Sequence, residues 1–101
     1  EVFGPVMLVN SIASTQEGFD IVNDSPFGLQ AGVFTHDLQT AFLAHSELEV
    51  GGVIIGDVPT FRSDQMPYGG VKASGVGKEG LLHAMRDLTH ERILVLSDLA
   101  L

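Results

Sequence analysis

The sequence has no cysteine. A disulfide scaffold, a thiolate metal site and a cysteine nucleophile are therefore all excluded within these residues. Basic residues are scarce, with five Lys and Arg against thirteen Asp and Glu and a net charge of −8. They form no cluster, so neither a nucleic-acid backbone nor an anionic membrane surface is expected as a partner. The acidity reads as plain solubility. No apolar run approaches the ~18 residues that a bilayer span requires. No basic-then-apolar start suggests a signal peptide, so a cytoplasmic location is the default expectation. The four histidines, His36, His45, His83 and His90, are scattered and show no metal-ligand spacing. No serine stands in a nucleophile-elbow context. An initiator methionine is also lacking. The chain opens on Glu1-Val2-Phe3-Gly4-Pro5, in what reads as the middle of a motif, and a fragment of a longer protein is expected.

What is present suits one small domain. The 101 residues are 45% apolar, enough to supply a core. Pro5 to Ile12 is a nearly continuous apolar run after a proline and predicts a buried strand. Ser14 and Glu17 fit the S-x-x-E capping box, which predicts a helix from about Thr15 to Asn23. Pro26 ends that helix region, because proline disfavours helical geometry in the residue before it. Leu29 to Thr35 predicts a second strand, with Gly32 marking a close backbone approach. Asp37 is placed to cap a helix from Leu38 to Leu48, with Leu38, Ala41, Phe42 and Leu48 as its buried stripe. Val53 to Ile55 predicts a third strand. Lys78 to Leu88 predicts a third helix with Leu81, Ala84, Met85 and Leu88 on its apolar face. Glu79 in its first turn suits the helix dipole. Glu91 to Leu96 predicts a final strand. Alternation of strand and helix gives an α/β layered fold with a mainly parallel sheet.

Between the third strand and third helix lies Asp64 to Gly80, holding five of the twelve glycines. Glycine and proline make regular structure costly there, so a long shaped loop is expected, ordered by the apolar segments on both sides. Gly75, Gly77 and Gly80 spell G-x-G-x-x-G. A dinucleotide fingerprint needs a strand immediately before the first glycine, and Lys72, Ala73 and Ser74 read as loop. The pattern is expected to be a tight turn into a helix. Ser74 is a plausible cap for turn amides, and Lys72 and Lys78 suit solvated surface charges.

Four blocks carry a resemblance to a known family. They are Glu1-Val2-Phe3-Gly4-Pro5; Asn23-Asp24-Ser25-Pro26-Phe27-Gly28-Leu29 with Ala31, Val33, Phe34 and Thr35; Gly51-Gly52-Val53-Ile54-Ile55; and Met66-Pro67-Tyr68-Gly69-Gly70-Val71-Lys72 through Ser74-Gly75, Gly77 and Glu79-Gly80. In this order and spacing the chain resembles the NAD(P)-dependent aldehyde dehydrogenases. One position departs from the pattern: Gly56, followed by Asp57, stands where the family commonly has an asparagine.

The resemblance implies the C-terminal part of the catalytic domain, α/β with a mainly parallel sheet and three helices over residues 1–89. A final strand over residues 90–97 would join a neighbouring subunit. It implies a homo-oligomeric parent, a dimer or tetramer, that oxidises a small aldehyde to a carboxylic acid with NAD or NADP. The catalytic cysteine and the general-base glutamate would lie upstream of these residues. Carried over residue by residue, Glu1 would accept hydrogen bonds from the nicotinamide ribose, and Phe3 would pack near the same ring or in the core. Tyr68 would wall the aldehyde tunnel, with Phe61 and Arg62 on its entrance loop; each also has a plainer role in bracing the loop. Arg62 could pair with Asp57 or Asp64 for that purpose. The segment Val58 to Tyr68 resembles the members acting on small oxygenated or anionic aldehydes, of the lactaldehyde, phosphonoacetaldehyde or glyceraldehyde 3-phosphate type. The competing expectation is a stand-alone, non-catalytic α/β module for subunit association.

Overall fold

A serine begins the first ordered element. In the computed structural model, which describes residues 3–98, Ser14 is extended and its hydroxyl accepts the Glu17 N–H at 3.1 Å, opening helix α1 (Thr15–Asn23). Glu17 reaches back as the capping box requires, but its carboxylate accepts the Ala13 N–H, one residue before the cap. Two short strands follow, β1 (Phe27–Gly28) and β2 (Gln30–Val33). Asp37 then caps α2 (Leu38–Glu47), accepting from the N–H groups of Gln39 and Thr40 and from the Thr40 hydroxyl. That hydroxyl, more than the two amides, holds the Asp37 carboxyl below its ordinary value. Strand β3 (Gly52–Ile55), strand β4 (Val71–Lys72) and helix α3 (Leu81–Asp87) complete the described elements.

Strands β2 and β3 pair in parallel, Gln30 opposite Gly52 through Val33 opposite Ile55, with α2 as their crossover. Strands β1 and β4 form a separate antiparallel pair, Phe27 opposite Lys72. The expected single, mainly parallel sheet is thus one parallel pair and one antiparallel pair. The core is small. Phe19, Ala44 and Leu48 are buried, with Ala31, Val33, Val50 and Val53 packed against them. Asn23 ties the two helix ends together: its side chain donates to the Glu47 carbonyl and accepts the Glu49 N–H, both at 2.8 Å.

Several expectations are corrected. Pro5 to Ile12 forms no strand, and Glu91 to Leu96, expected to pair with a neighbouring subunit, is unpaired within the described residues. Their side chains stand in solvent, Leu8 at 89% and Ile93 at 88% exposure, because a strand exists only against a neighbour and neither segment has one. The face of α2 that is buried runs through Ala44 and Leu48, while Leu38 and Phe42 are exposed. Helix α3 starts at Leu81 rather than Lys78 and has no buried residue, since no other described helix or strand packs closely on its apolar face. The molecule is drawn out to 72 × 35 × 23 Å, with a radius of gyration of 19.4 Å. A compact chain of this length would have about 13 Å.

Candidate functional site

The loop between β3 and β4 is held at three places. Gln30, on β2, donates its side-chain amide to the carbonyls of Pro59 (2.6 Å) and Phe61 (3.1 Å). Tyr68 and Glu79 exchange backbone hydrogen bonds in an isolated antiparallel bridge, which folds the glycine-rich loop back on itself. Lys78 closes the same fold by donating Nζ to the Gly69 carbonyl at 2.9 Å.

Arg62 joins the first half of the loop to the second. Its guanidinium lies 4.5 Å from the centre of the Tyr68 ring, within cation–π range. Its Nη2 donates to Glu79 Oε2 at 3.0 Å. The carboxylate that pairs with Arg62 is thus Glu79 rather than Asp57 or Asp64. Beside this group is an open cleft lined by Tyr68, Gly70, Ser74, Lys78, Glu79 and Asp87, among others.

The two lysines expected to be solvated are instead anchored. Besides the Lys78 contact, Lys72 Nζ reaches the Asn23 carbonyl at 2.6 Å and pairs with Glu49 at 2.8 Å. Ser74 accepts the Gly28 N–H at 2.9 Å, so its hydroxyl satisfies a strand amide across the loop. The glycine pattern behaves as a turn, with Gly75, Gly77 and Gly80 all at positive φ.

Of the residues singled out from sequence, Arg62 and Tyr68 are brought together. Phe61 is half-exposed and takes part through its carbonyl. Phe3 is fully exposed, and Glu1 lies outside the described residues. Glu79 and Gln30 were not anticipated as members of the site. Glu79 looked like a helix-dipole residue, and no local pattern shows that the chain turns back to set it opposite Tyr68. Among the described residues no cluster of side chains could hold a metal ion. No described helix is long and apolar enough to cross a membrane.

Comparison with known proteins gives a consistent result. The model of the aldehyde dehydrogenase family matches residues 1–94. The 3-sulfolactaldehyde dehydrogenase of Priestia aryabhattai is 53% identical over 97 residues, which are 96% of this chain and 20% of that protein. Aldehyde dehydrogenase 21 of Physcomitrella patens, solved with its reaction product succinate, superposes with a TM-score of 0.90 at 43% identity. That match covers 97% of this chain and 20% of the other. The glyceraldehyde-3-phosphate dehydrogenase of Methanocaldococcus jannaschii, solved with NADP, superposes with a TM-score of 0.69 at 44% identity, over 71% of this chain and 16% of its own. The chain spans about a fifth of the length of the curated relatives it matches.

Proposed function

The chain belongs to the aldehyde dehydrogenase family, and from that premise we propose that it is the C-terminal part of the catalytic domain of an NAD(P)-dependent enzyme oxidising a small anionic aldehyde. Its contribution is to shape and charge the substrate entrance. The attacking cysteine and the dinucleotide fold belong to residues outside this chain, which has no cysteine of its own. The dinucleotide, when bound, accepts the hydride. Toward it this chain would offer Glu1, whose carboxylate can accept ribose hydroxyls, and Phe3, whose exposed ring is free to lie against the nicotinamide. The unpaired apolar segment over residues 90–97 suits a role in a homo-oligomer, as a strand that completes a neighbouring subunit's sheet.

Arg62 carries the substrate assignment. It is a guanidinium on the entrance loop, stacked on Tyr68, in a chain whose net charge of −8 would otherwise repel an anion. A planar fork can receive a carboxylate, sulfonate or phosphate, which a lysine cannot do in the same bidentate way. The relatives named for sulfolactaldehyde and solved with succinate support an anionic substrate.

In the full-length enzyme, Arg62→Ala is expected to raise the KM for a carboxylated aldehyde about ten-fold. That is the lower end of the loss of a charge-assisted hydrogen bond, because Arg62 is half exposed. The KM for a neutral aldehyde of similar size should barely move. Equal losses on both would leave Arg62 with bracing alone. A separate measurement concerns the cofactor side. Glu1→Gln should slow turnover with little effect on the melting temperature, and unchanged kcat together with unchanged cofactor KM would remove Glu1 from the site.

A further inference from the structure

Resting on the assignment of Arg62 to the anionic end of the substrate, we propose that Glu79 is the positioning residue that aims the guanidinium. Directly opposed residues of an antiparallel bridge send their side chains to the same face. The Tyr68–Glu79 bridge therefore presents an aromatic ring and a carboxylate side by side, and Arg62 occupies the place between them. The ring holds the guanidinium carbon over its face, 4.5 Å from the centroid. The bond from Nη2 to Glu79 Oε2, at 3.0 Å, commits one terminal nitrogen to the carboxylate. Among the described residues Nε and Nη1 make no hydrogen bond, so two donor nitrogens stay open to an incoming anion.

Both partners are half exposed or more, 52% for Arg62 and 66% for Glu79. Water screens such a pair, so its attraction adds little stability. The same screening weakens the repulsion between Glu79 and a bound anion. What remains is geometric. An arginine left unpinned samples many rotamers and must be ordered when the anion arrives, whereas a pinned one is ready. Glu79 is well suited to pin it, since its own backbone is bonded on both sides to Tyr68.

The test is the ratio of kcat/KM for succinate semialdehyde to that for pentanal, measured in the full-length enzyme carrying Arg62→Ala, Glu79→Ala, and both. A general loss of folding or turnover cancels in the ratio. Glu79→Ala, which removes the acceptor, is expected to lower the ratio about three-fold, the scale of a half-exposed ion pair. The double variant should match Arg62→Ala alone, because Glu79 acts only through Arg62. A ratio that rises in Glu79→Ala would mean that the carboxylate shields the guanidinium, and would overturn the proposal. So would an unchanged ratio, or additive losses in the double variant, while Arg62→Ala still discriminates; the anionic-substrate assignment would then survive alone. If Arg62→Ala leaves the ratio unchanged, that assignment fails and the role of Glu79 fails with it.

Discussion

Gly51→Ala is expected to destabilise the full-length enzyme by about 3 kcal/mol, near the top of the range for overpacking. Gly51 stands where the start of β3 passes directly against the loop that carries Tyr68. A Cβ there would collide with the Gly69 carbonyl oxygen, and it would sit 2.9 Å from the Leu29 carbonyl oxygen. Both obstacles are backbone, so no side chain can swing aside. The Gly51 N–H is also committed, donating to the Gly28 carbonyl at 3.0 Å. Relief requires β3 and the loop to separate, which would pull Tyr68 and Arg62 from their present positions. The enzyme should therefore lose activity as well as stability. Gly4→Ala is the control, because nothing lies within 4 Å of a Cβ at that position. Denaturant midpoints of the two variants decide the matter. A Gly51→Ala midpoint equal to that of Gly4→Ala would show that the close approach is not maintained in the assembled enzyme.

Such contacts mark the boundary of what the sequence discloses. Signals that act within a few residues were legible. Ser14 and Glu17 announce α1, Asp37 announces α2, and the parallel pairing of β2 with β3 follows from strand, helix, strand in succession. Arg62 and Tyr68 could be placed on one functional loop by resemblance. Their common partner could not. The nearest carboxylates in sequence are Asp57 and Asp64, but Arg62 bonds Glu79, seventeen residues away, because a backbone bridge brings it there. Lys72 makes the same point at longer range, reaching the Asn23 carbonyl forty-nine residues back. Burial was legible only where a partner exists within the chain. Leu38 and Phe42 are as apolar as Leu48, yet they are exposed while Leu48 is buried with Phe19 and Ala44. The runs Pro5 to Ile12 and Glu91 to Leu96 have strand-like composition, but pairing is a property of two segments and composition describes one.

The isolated 101-residue chain is expected to oxidise no aldehyde at all and to self-associate. The first outcome follows from chemistry. No cysteine is present to attack the carbonyl, and the loop around Arg62 and Tyr68 offers a cation and an aromatic ring but no thiolate. Any hydride transfer to NAD or NADP by the pure chain, read as absorbance of the reduced nicotinamide, would refute it. The second follows from the balance of surfaces. Among the described residues the buried large or apolar side chains are Phe19, Ala44 and Leu48 alone, while Val6 to Val9 and Ile93 to Leu96 are continuous apolar segments outside any helix or strand, open to solvent. Exposed, unpaired backbone beside apolar side chains is a template for pairing with another copy. The net charge of −8 opposes association, but salt screens it, whereas burial of apolar surface is strengthened by sulfate. Light scattering should therefore show assemblies that grow on adding ammonium sulfate. A monodisperse monomer with a cooperative melt above about 60 °C, high in the mesophile range, would show instead that the small core suffices and that the exposed segments are not docking surfaces.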